Sequence, residues 1–130
     1  MLRPAFGDFD ISYATTNAAL AGRDGIGHVE LIGDCNRHQP LRTLRSLAAA
    51  FRILRKVRPD IVVTTGALPG FLCLLVGYFA GAKTIWIDSV ANADELSMSG
   101  SLATWFASIT LTQWPHLAHQ DRVKYIGSLL

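Results

Sequence analysis

Residues 58–89 read RPDIVVTTGALPGFLCLLVGYFAGAKTIWIDS. Residues 61 to 65 are β-branched throughout, which suits a strand. Gly66, Pro69 and Gly70 break that run. Residues 71–80 are then apolar enough to be buried on most faces of a helix, and KTIWID, 83–88, begins a second strand. Together they predict one βαβ unit. Two parallel strands joined by a helix need a crossover of this length, and such crossovers are right-handed almost without exception. The loop after the first strand opens at the carboxyl edge of the sheet, where ligands bind in folds of this kind. The fold class expected is therefore α/β, a Rossmann-like parallel sheet, with the core and the candidate site in one stretch.

Composition narrows what surrounds that unit. A chain of 130 residues makes one domain by length. Half the residues are hydrophobic and 17% are charged, which is apolar for a soluble domain and implies that something covers part of the surface. A net charge of +2 is too small to argue for nucleic acid. Its distribution is uneven, however: Arg42, Arg45, Arg52, Arg55, Lys56 and Arg58 are half of all basic residues, and no acidic residue lies between Asp34 and Asp60. That stripe suits a solvated helix face, an anionic lipid surface or an acidic partner surface. Cys35 and Cys73 form no metal-ligand spacing and suit reduced thiols, Cys73 in the core; no metal site is expected. Residues 61–82 carry no charge and number 22, but the glycine–proline cluster divides them into a strand and a helix too short to span a bilayer.

Before the central unit, FDISYATT (9–16) alternates as a strand with Phe9, Ile11 and Tyr13 on one face. Gly22, Gly25 and Gly27 mark a loop, and HVELIG (28–33) is a short second strand. Residues 41–57 carry the clearest helical pattern. Leu41, Leu44, Leu47, Ala48, Phe51, Leu54 and Val57 form the expected buried face, with the arginines opposite; Pro40 suits the first turn and Pro59 ends the helix. After the unit, residues 89–101 are polar. Ser99 or Ser101 is the expected cap of a helix over 101–108. ITLTQW (109–114) and VKYIG (123–127) complete the strands.

The chemistry is defined as much by what is missing. The nucleophile elbow G-x-S-x-G does not occur, nor do the Walker and dinucleotide fingerprints, so no cofactor is expected. Gly66-x-x-x-Gly70 allows two readings: a phosphate held at a helix N-terminus, or close packing of helix on sheet. Asp88 ends a parallel strand at the carboxyl edge, whereas Asp60 lies at the entering end, which makes Asp88 the candidate catalytic residue. It suits a general base in a partly apolar setting, or a cap for the following loop.

Four consecutive motifs then carry a resemblance: VVTTGALPG, AKTIWIDSVANADELSMSG, TLTQWPHLA and YIGSLL. They resemble those of the membrane-anchor subunit of the two-part GlcNAc transferase of asparagine-linked glycosylation, and more closely its bacterial PssD-like relatives in capsule and exopolysaccharide synthesis. The resemblance covers residue 58 to the end, with weaker agreement back to Leu2. It implies a GT-B N-terminal half-domain over residues 1–130, similar to the acceptor half of the glycosyltransferase that makes lipid II. A separate catalytic partner would carry the UDP-sugar site, while this chain would hold that partner at the membrane and bind a lipid-linked saccharide. By matching position, the acceptor and phosphate-binding residues would be Thr65, Gly66, Pro69, Gly70, Ser89, Ser97, Ser99 and Gly100. Gln113, Trp114 and Pro115 would shape the hinge toward the partner. Where the family carries I-E-S and then a basic residue, this chain has Ile87, Asp88, Ser89 and Asn92: a carboxylate one carbon shorter and no counter-charge.

Family members open with a strand and a glycine-rich loop before a segment like LRPAF, and here LRPAF is residues 2–6. The resemblance therefore implies a half-domain lacking its first strand, the one between the strands at 10–15 and 60–65 in a sheet of order 3-2-1-4-5. Either the true start codon lies upstream, the gene is a remnant, or the two flanking strands close up. Attachment would be peripheral, at the cytoplasmic face of the plasma membrane, through Arg42, Arg45, Arg52 and Arg55. The rival expectations are a non-catalytic α/β interaction module and a non-functional remnant.

Overall fold

A computed structural model describes residues 7–19, 29–35, 37–118 and 122–127. In chain order these form β1 (Tyr13–Thr15), β2 (Val29–Leu31), α1 (Pro40–Val57), β3 (Ile61–Thr64), α2 (Ala67–Phe79), β4 (Lys83–Ile87), α3 (Met98–Ala103), β5 (Ile109–Thr112), a 3-10 turn (Pro115–Leu117) and β6 (Val123–Tyr125). The central βαβ unit is thus present as β3–α2–β4. Residues 2–6, most of the glycine loop with His28, and the last three residues of YIGSLL lie outside the described residues.

Every strand pairing is parallel. β3, β4, β5 and β6 lie side by side in that order, with Thr64 opposite Trp86, Trp86 opposite Thr110 and Thr112 opposite Tyr125. All crossovers within this sheet step in one direction, and right-handed connections of that kind place their helices on one face. Val62 accordingly packs with Ala50, Ile53 and Leu54 of α1 and Cys73 of α2. Trp86 packs with Phe71 and Leu74 of α2 and Ala103 of α3. Burial pushes the Cys73 thiol from 9.0 up to about 11, which marks it as an inert core group.

β1 and β2 form a separate two-stranded sheet. No ladder joins it to β3–β6 among the described residues, so β1 and β3 do not close up on each other. The smaller sheet is attached through α1 instead. Ile32 enters the α1 core, Ser46 donates from its hydroxyl to the Gly33 carbonyl at 2.5 Å, and Lys56 pairs with Glu30.

Three expectations need correction. The buried residues of α1 are Ser46, Ala49, Ala50, Ile53 and Leu54, whereas Leu41, Leu44 and Phe51 are 74%, 63% and 55% exposed. Close approach is the reason. Ser46 must reach the Gly33 carbonyl, and a Cβ on Gly77 of α2 would stand 2.8 Å from Val62 of β3 and 3.5 Å from Leu54 of α1, so the elements approach closely and the small Ser46, Ala49 and Ala50 share the inner face with Ile53 and Leu54. The larger leucines and Phe51 turn outward, beside the arginines. Next, α2 starts at Ala67, ahead of residue 71, because Pro69 falls in the first turn, where a missing N–H costs no helical bond. Finally, α3 spans 98–103, not 101–108, and its cap is Ser97 in place of Ser99 or Ser101.

Candidate functional site

The carboxyl ends of β3 and β4 lie next to each other, since Thr64 pairs with Trp86. The segments leaving these two strand ends form one wall. After β3, Gly66 adopts φ 108° and ψ −175°, a conformation reserved for glycine, and Ala67 is left-handed at φ 61°. The chain thereby turns sharply from strand into α2. The first turn of α2 has no side-chain cap and no acidic residue, so the N–H groups of Ala67 and Leu68 form an uncapped positive end of the helix dipole. Gly70 is also a packing residue: a Cβ there would stand 3.3 Å from the Thr64 side chain. Both readings of the glycine pair therefore have a physical basis, Gly66 in the turn and Gly70 in packing. The Thr64 hydroxyl beneath it is buried without a hydrogen-bond partner.

After β4, residues 88–97 form an arch organised by Asp88, which is only 2% exposed. Oδ1 accepts from Trp86 Nε1 at 3.1 Å and from the Ser97 hydroxyl at 2.7 Å; Oδ2 accepts from Ser97 N at 3.1 Å and Asn92 Nδ2 at 3.4 Å. Four donors fill the carboxylate's lone pairs. A general base needs an open lone pair within reach of substrate, and here each is occupied. The Ser97 hydroxyl passes the order on by accepting from Gly100 N at 2.8 Å, which caps α3.

Of the residues expected at the site, Thr65, Gly66, Pro69 and Gly70 fall in the turn and first turn of α2, and Ser89, Ser97, Ser99 and Gly100 in the arch and α3. Asp88, Ser97 and Gly100 form one hydrogen-bonded group. Ser89 serves its own loop, accepting from Ala91 N at 3.3 Å. Arg42, Arg45, Arg52 and Arg55 lie apart, exposed on α1. No cluster of His, Cys, Asp and Glu able to hold a metal occurs among the described residues.

A second set of contacts was not foreseen. Gln113 Nε2 donates to the Asp88 carbonyl at 3.3 Å, Trp114 Nε1 to the Val90 carbonyl at 3.0 Å, and His116 Nε2 meets the Ala93 carbonyl. Three side chains with N–H groups directly after a strand were the signal available in the sequence.

Residues 31–129 match the family described as oligosaccharide biosynthesis protein Alg14 like. The chain belongs to the Alg14 family. It is 38% identical over 78 residues to the UDP-N-acetylglucosamine transferase subunit alg14 of Schizosaccharomyces pombe, covering 53% of this chain and 36% of that protein. Against the corresponding ALG14 subunit of Eremothecium gossypii the identity is 28%, covering 88% of this chain and 59% of that one. The chain thus spans between about a third and three-fifths of these Alg14 relatives. In structure it is similar to MurG of Acinetobacter baumannii, with a TM-score of 0.78 at 13% identity over 98% of this chain and 40% of that one. The Alg14-family fold here is therefore α/β with a parallel sheet, of the GT-B kind that MurG has.

Proposed function

We propose that the chain is the acceptor-side, partner-anchoring part of a heteromeric glycosyltransferase, in which a separate subunit binds a UDP-sugar such as UDP-GlcNAc. It acts as a single GT-B N-terminal-type unit. The substrate side is a polyprenyl-diphosphate-linked saccharide of lipid-linked oligosaccharide or polysaccharide synthesis, and the nearer functional relatives are the bacterial PssD-like proteins. One observation carries this reading: in a chain of the Alg14 family, a strained glycine turn leaves an uncapped helix N-terminus at the carboxyl edge of a parallel sheet, beside a rigid polar arch.

In this reading the N–H groups of the α2 first turn receive the diphosphate, Thr65, Gly66, Pro69 and Gly70 shape its seat, and Ser89, Ser97, Ser99 and Gly100 line the adjoining wall. Asp88 acts as a positioning residue, because its lone pairs are already engaged by Trp86, Asn92 and Ser97. The outward face of α1 rests on the cytoplasmic face of the plasma membrane. There Leu41, Leu44 and Phe51 enter the interface, while Arg42, Arg45, Arg52 and Arg55 meet anionic headgroups.

The test is binding and transfer with the purified chain. A GlcNAc-bearing polyprenyl diphosphate in detergent micelles should bind, and Gly66→Ala, which cannot hold φ 108° without strain, should weaken that binding by about tenfold or more. No transfer from UDP-GlcNAc should occur without a second protein. Transfer by the chain alone, or binding indifferent to Gly66, would overturn the assignment.

A further inference from the structure

We propose that Trp114 and His116, with Gln113, are positioning residues that hold the 88–97 arch in the shape its ligand needs; this rests on the acceptor-side reading of the chain. The arch has almost no shape of its own. Within residues 88–97 there is one backbone-to-backbone hydrogen bond, from Asn92 N to the Ser89 carbonyl at 3.1 Å. Its form is held by side chains, some of its own and some from the segment after β5. Asp88 draws Asn92 and Ser97 inward toward the end of β4. From the opposite side, the segment after β5 reaches over with donors to three carbonyls, those of Asp88, Val90 and Ala93.

These two sets of bonds do different work. The Asp88 network is buried and ties the arch to the core. His116 is exposed and Trp114 half-buried, and their targets lie in the middle of the arch, where no core group is covered. A loop needed only as a connection would not require its mid-section carbonyls to be held. Fixing them has two effects on the wall: it orients the intervening N–H groups and hydroxyls, and it removes the ordering cost a ligand would otherwise meet on binding. The tilted contact between the Trp114 and His116 rings, 6.1 Å between centroids, keeps the two donors in step. Because the bond goes to a carbonyl, His116 holds its proton on Nε2.

The experiment uses the full chain and two readouts, hydrogen exchange of the amides of residues 89–96 and the dissociation constant for a GlcNAc-bearing polyprenyl diphosphate in micelles. Trp114→Phe keeps an aromatic ring and loses the donor; His116→Ala loses the donor, and His116→Gln can restore one. Trp114→Phe and His116→Ala should each speed exchange in the arch and weaken binding about three- to tenfold, the worth of one hydrogen bond, with the melting midpoint little changed. His116→Gln should recover most of the binding. Faster exchange with unchanged affinity would overturn the positioning role, as would unchanged exchange. Wild-type chain that fails to bind the probe at all would overturn the acceptor reading and this inference with it, and the exchange data would still report separately whether the bonds hold the arch.

Discussion

Gly100 has no room for a side chain. A Cβ there would stand 2.5 Å from Asp88 Oδ1 and 2.9 Å from the Ser97 hydroxyl, both members of the buried network. Gly100→Ala must therefore displace the carboxylate from its donors. It should cost about 2–3 kcal/mol, read as a lower denaturant midpoint at unchanged slope. Asp88→Ala should cost more, roughly 3–5 kcal/mol, because Trp86 Nε1, Ser97 N and the Ser97 hydroxyl all lose their acceptor. If Asp88→Ala proved stable yet abolished transfer in the assembled enzyme, the carboxylate would be catalytic after all. Cys73 offers a different check. With its pKa raised to about 11 from 9.0, the folded thiol stays neutral while an unfolded one ionises, so stability is full below pH 9 and falls between pH 9 and 11. Thiol reagents at pH 8 should accordingly label it only as fast as the chain unfolds. Labelling at the rate of a free thiol would contradict that burial.

At the scale of elements, α1 shows what periodicity conveys and what it omits. The three- and four-residue spacing of its leucines located the helix to within a residue at its start, yet it assigned Leu41, Leu44 and Phe51 to the wrong face. The inner face is decided by neighbours outside the helix: Gly33 accepts from Ser46, and Val62 packs with Ala50, Ile53 and Leu54. The same is true of the site. Its turn and its arch were legible because glycines and strand ends are local signals, whereas the choice of Ser97 as cap follows its bond to Asp88 and the clamp from Gln113, Trp114 and His116 depends on long-range contacts. The outward face of α1 combines large apolar side chains with Arg45, Arg52 and Arg55, the face proposed above to rest on an anionic bilayer. Phe51→Asp should reduce partition onto phosphatidylglycerol vesicles about tenfold, and reversing the three arginines should do as much, without moving the melting midpoint, since none of these residues is buried. Flotation unaffected by either change would return this face to ordinary solvent exposure.

Among the described residues two parallel sheets are bridged by α1, and that arrangement sets the weakest point. Within β3–β6, continuous ladders, α2 and α3 on one face, and the packed Trp86 make opening costly. Among the described residues the β1–β2 sheet has three residues in each strand, and its attachments to α1 include Ile32, the Ser46–Gly33 bond and the Lys56–Glu30 pair. The ion pair is largely solvent-exposed on the lysine side and adds at most about 1 kcal/mol. The sequence located both sets of strands but could not decide whether β1 and β3 would meet, because strand pairing across a gap depends on edges that no local pattern encodes. Left apart, the two sheets should open separately. Native-state hydrogen exchange should show the amides of residues 13–15 and 29–31 exchanging through openings of low free energy, while those of Val62, Trp86 and Leu111 exchange only with global unfolding. Ser46→Ala, which cuts one attachment, should speed exchange in β2 and leave β4 unchanged. Equal protection in the two sheets would mean that another segment fills the place between β1 and β3 and couples them into one. In that case a parallel strand paired to both should also slow exchange along the free side of β3, and the position of the slowed amides would identify its register.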